Sequence, residues 1–277
     1  MKRPTRPSSL PTGWFSTREG RPSEQPKTPR EEPFNMSTRN LRGLGLAATA
    51  LLCLGTAACA NEIRPDPNQA VNASFDIIET RITTANGIAT FRTRVRGDAG
   101  SARPAATGKF EGSQVFAYVW PTSLNSADIG FERDQGIVAL AATFHPDFDD
   151  ASKRASSATN RDRWHAHWVI LNEDTACPGG LKVKDIPAGT SPRLPPDWPG
   201  APILIDSPDF KTDFMGDAVE VQVPLAQIGA LATARFDGVT AGLKVNANLH
   251  APLLCVENVF KVASGNLSLP GRVVPAR

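Results

Sequence analysis

From Ser74 onward the chain tends to alternate apolar and polar side chains with a period of two, the spacing of half-buried strands, and Gly, Pro, Asn and Asp punctuate it. The clearest element is a hairpin over about Asp76 to Arg96, centred on Asn86-Gly87. That dipeptide suits a two-residue type I′ turn, in which both central positions need φ > 0. Counting outward from such a turn pairs Ile82 with Phe91, Thr80 with Thr93 and Ile78 with Val95 on one largely apolar face. The other face pairs Thr83 with Thr90, Arg81 with Arg92 and Glu79 with Arg94. A slip of one residue would mix the two faces, so turn and pattern specify one register.

Further strands are expected over Gln114–Trp120, Gly136–Phe144, Trp164–Leu171, Pro202–Ile205, Ala218–Val223, Gly242–Leu249 and Glu257–Val262. Pro224–Thr233 is the one stretch with helical character. About nine short strands separated by turns predict an all-β, antiparallel domain over residues 74–277, a β-sandwich or a jelly-roll-like barrel. Two long connections, Pro146–Arg163 and Ala176–Pro202, interrupt it, and loops of that length commonly carry function. Residues 61–73, broken by Pro65 and Pro67, read as a linker.

The N-terminal region follows a different pattern. Arg39 and Arg42 precede an apolar run from Leu44 to Ala58, and small residues close it as Ala58-Cys59-Ala60. Charge, a short apolar core and a small-residue site in that order make residues 36–60 a secretory signal, and the run is short for a membrane span. Residues 1–35, rich in Pro, Arg, Ser and Thr, read as a start assigned ahead of the true one at Met36, or as a disordered leader. The segment Thr56-Ala57-Ala58-Cys59 resembles a bacterial lipobox, which implies lipidation of Cys59 and, through it, a membrane anchor.

Export changes the charge picture. Nine basic and four acidic side chains precede Asn61, so the remainder holds 21 Lys+Arg and 24 Asp+Glu, and the net charge moves from +2 to −3. No global positive field remains to attract nucleic acid. Cys177 and Cys255 are the two cysteines left in the domain, and in an oxidising compartment they are expected to pair.

Candidate chemistry centres on Trp164-His165-Ala166-His167-Trp168. On a strand, His165 and His167 share one face, while Trp164, Ala166, Trp168 and Ile170 share the other. Two neighbouring imidazoles can seat one divalent metal ion, with His145 or Glu173 as third ligand. The bland alternative is a pair of surface histidines opposite a buried apolar face. The stretch also resembles the first cupin motif: His165-x-His167 is followed by Glu173 after five residues and by Gly180 after six more. That resemblance implies a metal-binding β-barrel and a metal-dependent enzyme using His165, His167 and Glu173. The acidic run Asp147, Asp149, Asp150, close to His145, is a candidate for calcium or for a solvated loop. Trp198, in the Pro-rich loop, is a candidate stacking surface for a ligand. No G-x-S-x-G elbow, P-loop or dinucleotide fingerprint is present.

These features point first to an exported, non-enzymatic domain that binds a ligand or an envelope partner through its loop ends. A metal-dependent cupin-like enzyme and a structural envelope protein tethered by lipid at Cys59 are the alternatives.

Overall fold

The computed structural model describes residues 61–154 and 159–276. The leader, the signal and Cys59 lie outside the described residues. In chain order the strands are β1 (Glu62–Ile63), β2 (Ile77–Ala85), β3 (Ile88–Val95), β4 (Gln114–Thr122), β5 (Ile137–Phe144), β6 (His165–Glu173), β7 (Leu181–Val183), β8 (Ile205–Asp206), β9 (Lys211–Met215), β10 (Ala218–Pro224), β11 (Arg235–Phe236), β12 (Val239–Val245), β13 (Leu254–Val262), β14 (Gly271–Arg272) and β15 (Val274–Pro275).

Two sheets result. The first runs β1-β2-β3-β10-β9, with β15 parallel to β2. The second runs β12-β13-β7-β6-β5-β4, and β12 also pairs with β4, from Lys244 opposite Gln114 to Val239 opposite Val119. That last pairing closes six strands into a barrel, so the expectation of an all-β antiparallel domain holds but the simple sandwich does not. The segment read as a linker opens on β1, which pairs with β2 through Glu62 opposite Arg81 and Ile63 opposite Thr80. The expected helix is replaced by two single 3₁₀ turns, Leu225–Gln227 and Leu231–Thr233. Gly229 sits between them, where a continuous helix would lose backbone entropy.

The first hairpin forms around Asn86 and Gly87, both at positive φ as a type I′ turn requires. Ile82 faces Phe91 and Thr80 faces Thr93, in the expected register. The register then shifts: Val95 pairs with Ile77, not Ile78, because an irregularity between Ile77 and Glu79 adds a residue to β2. Such a bulge turns Ile77 into the core, fully buried, and leaves Ile78 partly exposed. The like-charged Arg81–Arg92 pair is relieved from the next strand, where Arg92 forms an ion pair with Glu220. Arg94 Nε donates to Asp217 at 3.0 Å.

The strands of the barrel are apolar on both faces, for two different reasons. Tyr118 and Trp120 of β4, Val138, Leu140 and Ala142 of β5, and Ala166, Trp168 and Ile170 of β6 pack toward Phe91, Val219 and Val221 of the first sheet. The opposite faces of the same strands, Val115, Ala117 and Val119, Ala139 and Ala141, Val169 and Leu171, look into the barrel. The buried face read from alternation at β6 holds, and the alternative of surface histidines on its other face does not, because that face is enclosed as well. Cys177 and Cys255 form a disulfide across 78 residues of chain, in keeping with an oxidising compartment. The chain-entropy model assigns a loop of that length about 4–5 kcal/mol. Among the described residues no helix is long and apolar enough to cross a membrane.

The bulge makes a sharp stability prediction. Ile77→Ala should cost about 2–5 kcal/mol, as removal of a fully buried branched side chain does. Ile78→Ala, at a partly exposed site, should cost less than about 1 kcal/mol. Urea unfolding of the two variants checks it; equal losses would mean that β2 lacks the bulge.

Candidate metal centre

Register places the histidines before any side-chain geometry is considered. β5 and β6 are antiparallel, with Thr143 opposite His165 and Ala141 opposite His167. Alternation then turns Ala141 and Thr143, His165 and His167 into the barrel, and His145, just past the end of β5, joins them. All three imidazoles are buried. The long loop after His145 supplies a fourth group, Asp150. One ligand atom from each of His145, Asp150, His165 and His167 lies within 4.8 Å of the others.

The loop is fixed so that Asp150 reaches inward. Asp147 accepts the backbone N–H groups of Thr107 and Gly108, both at 2.7 Å. Asp149 accepts those of Asn160 and Arg161 at 2.6 and 3.2 Å. Asp150 and the buried Asn160 hold each other: Asn160 Nδ2 donates to Asp150 Oδ1 at 2.8 Å, and Asp150 N–H donates to Asn160 Oδ1 at 3.2 Å. The acidic run therefore does not gather into a calcium cluster; its three carboxylates serve three separate sites.

The outer contacts of the histidines fix their tautomers. His145 Nδ1 lies 2.9 Å from the Phe148 carbonyl and His165 Nδ1 lies 2.9 Å from the Arg163 carbonyl. A carbonyl oxygen only accepts, so both Nδ1 atoms carry the proton and both Nε2 atoms turn a lone pair inward. Yet the two Nε2 atoms are 3.0 Å apart. Two acceptors at that distance repel unless a proton or a cation sits between them. Asp150 Oδ1 is 3.3 Å from His145 Nε2 and 3.2 Å from His165 Nε2, and Asp150 Oδ2 is 3.3 Å from His167 Nε2. The His167 contact is close without being aligned, so its buried Nε2 has no hydrogen-bond partner. His167 Nδ1 meets Ser207 Oγ at 3.0 Å, just beyond β8, which pairs with β6. The Phe148 ring stacks on His145 at 4.0 Å between centroids.

Burial pushes the His167 imidazole down to about 3, against the pull of Asp150, and His165 and His145 add to the depression. His167 is therefore neutral at pH 7, as a ligand must be. For Asp150, burial alone would raise the carboxyl, but the surrounding imidazoles, whenever they carry an extra proton, outweigh burial and hold it well below its ordinary range. Three imidazole nitrogens and one carboxylate oxygen form a donor set that suits zinc, copper, nickel, cobalt or iron better than calcium or magnesium. Tetrahedral bonds of about 2.0–2.1 Å would separate donors by roughly 3.3 Å, close to the 3.0–3.3 Å separations among His145 Nε2, His165 Nε2 and Asp150 Oδ1, while the four-residue set as a whole lies within 4.8 Å.

Not every sequence candidate is here. Glu173 is exposed at the far end of β6, six residues beyond His167 and so roughly 20 Å along the strand, and cannot share an ion with it. The carboxylate place that the cupin-like reading gave to Glu173 is taken by Asp150, which the sequence placed five residues from His145 in an acidic run read as a calcium candidate or a solvated loop. His250 is exposed and apart from the cluster. Trp198 packs, half-buried, against the residues of the barrel, with Nε1 donating to the Ala201 carbonyl at 2.9 Å. It takes no part in the cluster. Comparison with protein-family models, with curated proteins and with solved structures finds no match.

The depressed His167 has a consequence for acid stability in metal-free protein. Unfolded, the imidazole takes a proton near its ordinary 6.5; folded, it resists until about 3. Its contribution is therefore fully present above pH 6.5 and lost progressively as pH falls from 6.5 towards 3. Chemical denaturation across that window should show a steeper loss for the native chain than for His167→Asn. Parallel curves would mean that His167 is not buried neutral.

Proposed function

We propose that this protein is an exported metal-binding protein that holds one divalent transition-metal ion inside its barrel on His145, Asp150, His165 and His167. The observation that carries the reading is the 3.0 Å approach of His145 Nε2 to His165 Nε2 while both Nδ1 atoms face carbonyl oxygens. A cation accepts both lone pairs, gives His167 Nε2 the partner it lacks and neutralises part of the buried charge of Asp150. The outer contacts support this: carbonyls of Phe148 and Arg163, the hydroxyl of Ser207 and the amide of Asn160 each orient one member of the set, as supporting groups do around bound metals.

The metal reading moves ligand binding from the loop ends into the barrel, with one long loop contributing Asp150. A catalytic role for the ion is a second reading, favoured by the cavity that His145, Asp150 and His167 also line. Export rests on the signal pattern of residues 36–60 and on the disulfide. The mature protein isolated from outside the cytoplasm is expected to begin at Asn61, or to be blocked at a lipidated Cys59. An N-terminus upstream of Met36 on exported protein would refute that signal.

Titration of the metal-free protein at neutral pH should show saturable uptake of one zinc or cobalt ion per chain. His165→Ala with His167→Ala should abolish it and Asp150→Ala should weaken it by roughly tenfold or more, about 1.4 kcal/mol per factor of ten. Glu173→Ala and His250→Ala should leave it unchanged. The absence of saturable binding of zinc, cobalt, nickel, copper, manganese and iron would leave shared protons as the explanation of the cluster and end the proposal.

A further inference from the structure

The barrel is not filled. A cavity of about 320 Å³ lies within it, roughly twice the ~150 Å³ of an engineered apolar cavity that takes up benzene. A six-stranded barrel is narrower than the eight-stranded barrels whose side chains fill the interior, so space remains only where inward residues are short. Ala117, Ala141 and Ala241 supply that, one each on β4, β5 and β12. The wall follows β5 from Ile137 to Thr143, about 20 Å of strand, so the space is long as well as narrow.

Its polarity is confined. Thr122, at one end, already donates its hydroxyl to the Val138 carbonyl at 3.0 Å. The other polar side chains of the wall, Thr143, His145, Asp149, Asp150 and His167, gather at the opposite end, and Asp149 is committed to Asn160 and Arg161. Two atoms there are buried and without a partner: Thr143 Oγ1 and His167 Nε2. At the Thr122 end, Ile137, Val259 and Leu267 line the cavity and are also exposed, at 39%, 44% and 41%. They form an apolar mouth.

We infer that the barrel cavity seats a small monocarboxylate with an apolar body, its hydrocarbon part along the alanine-lined interior and its carboxylate against the His145, Asp150 and His167 wall. The inference rests on the metal reading above. A divalent ion with one carboxylate and three neutral imidazoles leaves a single positive charge in an apolar enclosure, where an unneutralised charge is costly. A second carboxylate cancels it, and the Thr143 hydroxyl can donate to that group. The apolar body displaces water from a wall that offers it no hydrogen bonds.

The test uses the full chain loaded with cobalt(II) and a series of straight-chain acids from butyrate to octanoate. Cobalt uptake is measured first, by titration. Octanoate should then bind once per chain and change the visible spectrum of the cobalt. Affinity should rise about fourfold for each added methylene, the factor that corresponds to about 0.8 kcal/mol. Binding to metal-free protein should be weaker by roughly tenfold or more. Ala241→Phe should remove octanoate binding and leave cobalt uptake intact; Ala241→Leu, a smaller intrusion, should weaken octanoate if the phenylalanine variant does not fold. Cobalt-loaded protein that binds no octanoate, binds all chain lengths alike, or binds equally without cobalt overturns this inference and leaves the metal reading standing. Octanoate affinity unchanged in both Ala241 variants also overturns it. Failure of cobalt to bind at all overturns the metal reading instead.

Discussion

The pairing of β12 with β4 is the constraint on which the rest of the molecule depends. Without it the second sheet would have one face on the core and one in water, and its inner residues would be ordinary surface. With it, six strands enclose a second interior, and every inward side chain must be apolar, small or paired. The apolar face-to-face core with the first sheet then supports a wall whose other side is also dry. Both the cavity and the cluster of imidazoles follow from that enclosure, because neither exists on an open sheet.

Enclosure also decides what the histidines are. On a solvated face, two imidazoles at alternate positions of a strand cost little and need no partner. Inside the barrel each nitrogen must be accounted for. The three Nδ1 atoms are, through Phe148, Arg163 and Ser207. The three Nε2 atoms converge on Asp150 and on one another, and those of His145 and His165 face each other with lone pairs. The arrangement is poor as a purely structural network and good as a set of ligands. That asymmetry, rather than the mere presence of His and Asp, is the argument for a cation.

Local physics was legible in the sequence and long-range closure was not. The Asn86-Gly87 turn, the pairing of Ile82 with Phe91 and the burial of Trp164, Ala166, Trp168 and Ile170 follow from short-range rules, and the structure agrees with each. The bulge at Ile77–Glu79 has no signal in the alternation, since Ile77 and Ile78 are equally apolar. Nor can period two say whether the face opposite a core is wet or enclosed; that depends on β12 meeting β4 across more than a hundred residues. A hint was present in Val115, Ala117, Val119, Ala139 and Ala141, which make β4 and β5 apolar on both faces, as doubly buried strands are. Asp150 was within reach of inference by its nearness to His145, but spacing alone favoured Glu173, which a straight strand carries away from the site.

The location of the cluster at one end of the barrel has its own logic. A single strand offers only alternate positions on one face, and β6 supplies two ligands that way. The neighbouring strand adds Thr143 opposite His165, and the next inward position, His145, lies just where β5 stops. The inward residues of the adjoining strand β4 beside this site, Val115 and Ala117, are apolar, so the fourth ligand comes from outside the ladder. A loop can deliver it at the end of the barrel. The connection after His145 does so, and Asp147 and Asp149 bind its backbone and side-chain neighbours so that Asp150 need not pay the full entropy of ordering alone. The long acidic loop is thus part of the barrel's interior chemistry, and its length serves to turn one carboxylate inward over the open end of the strands.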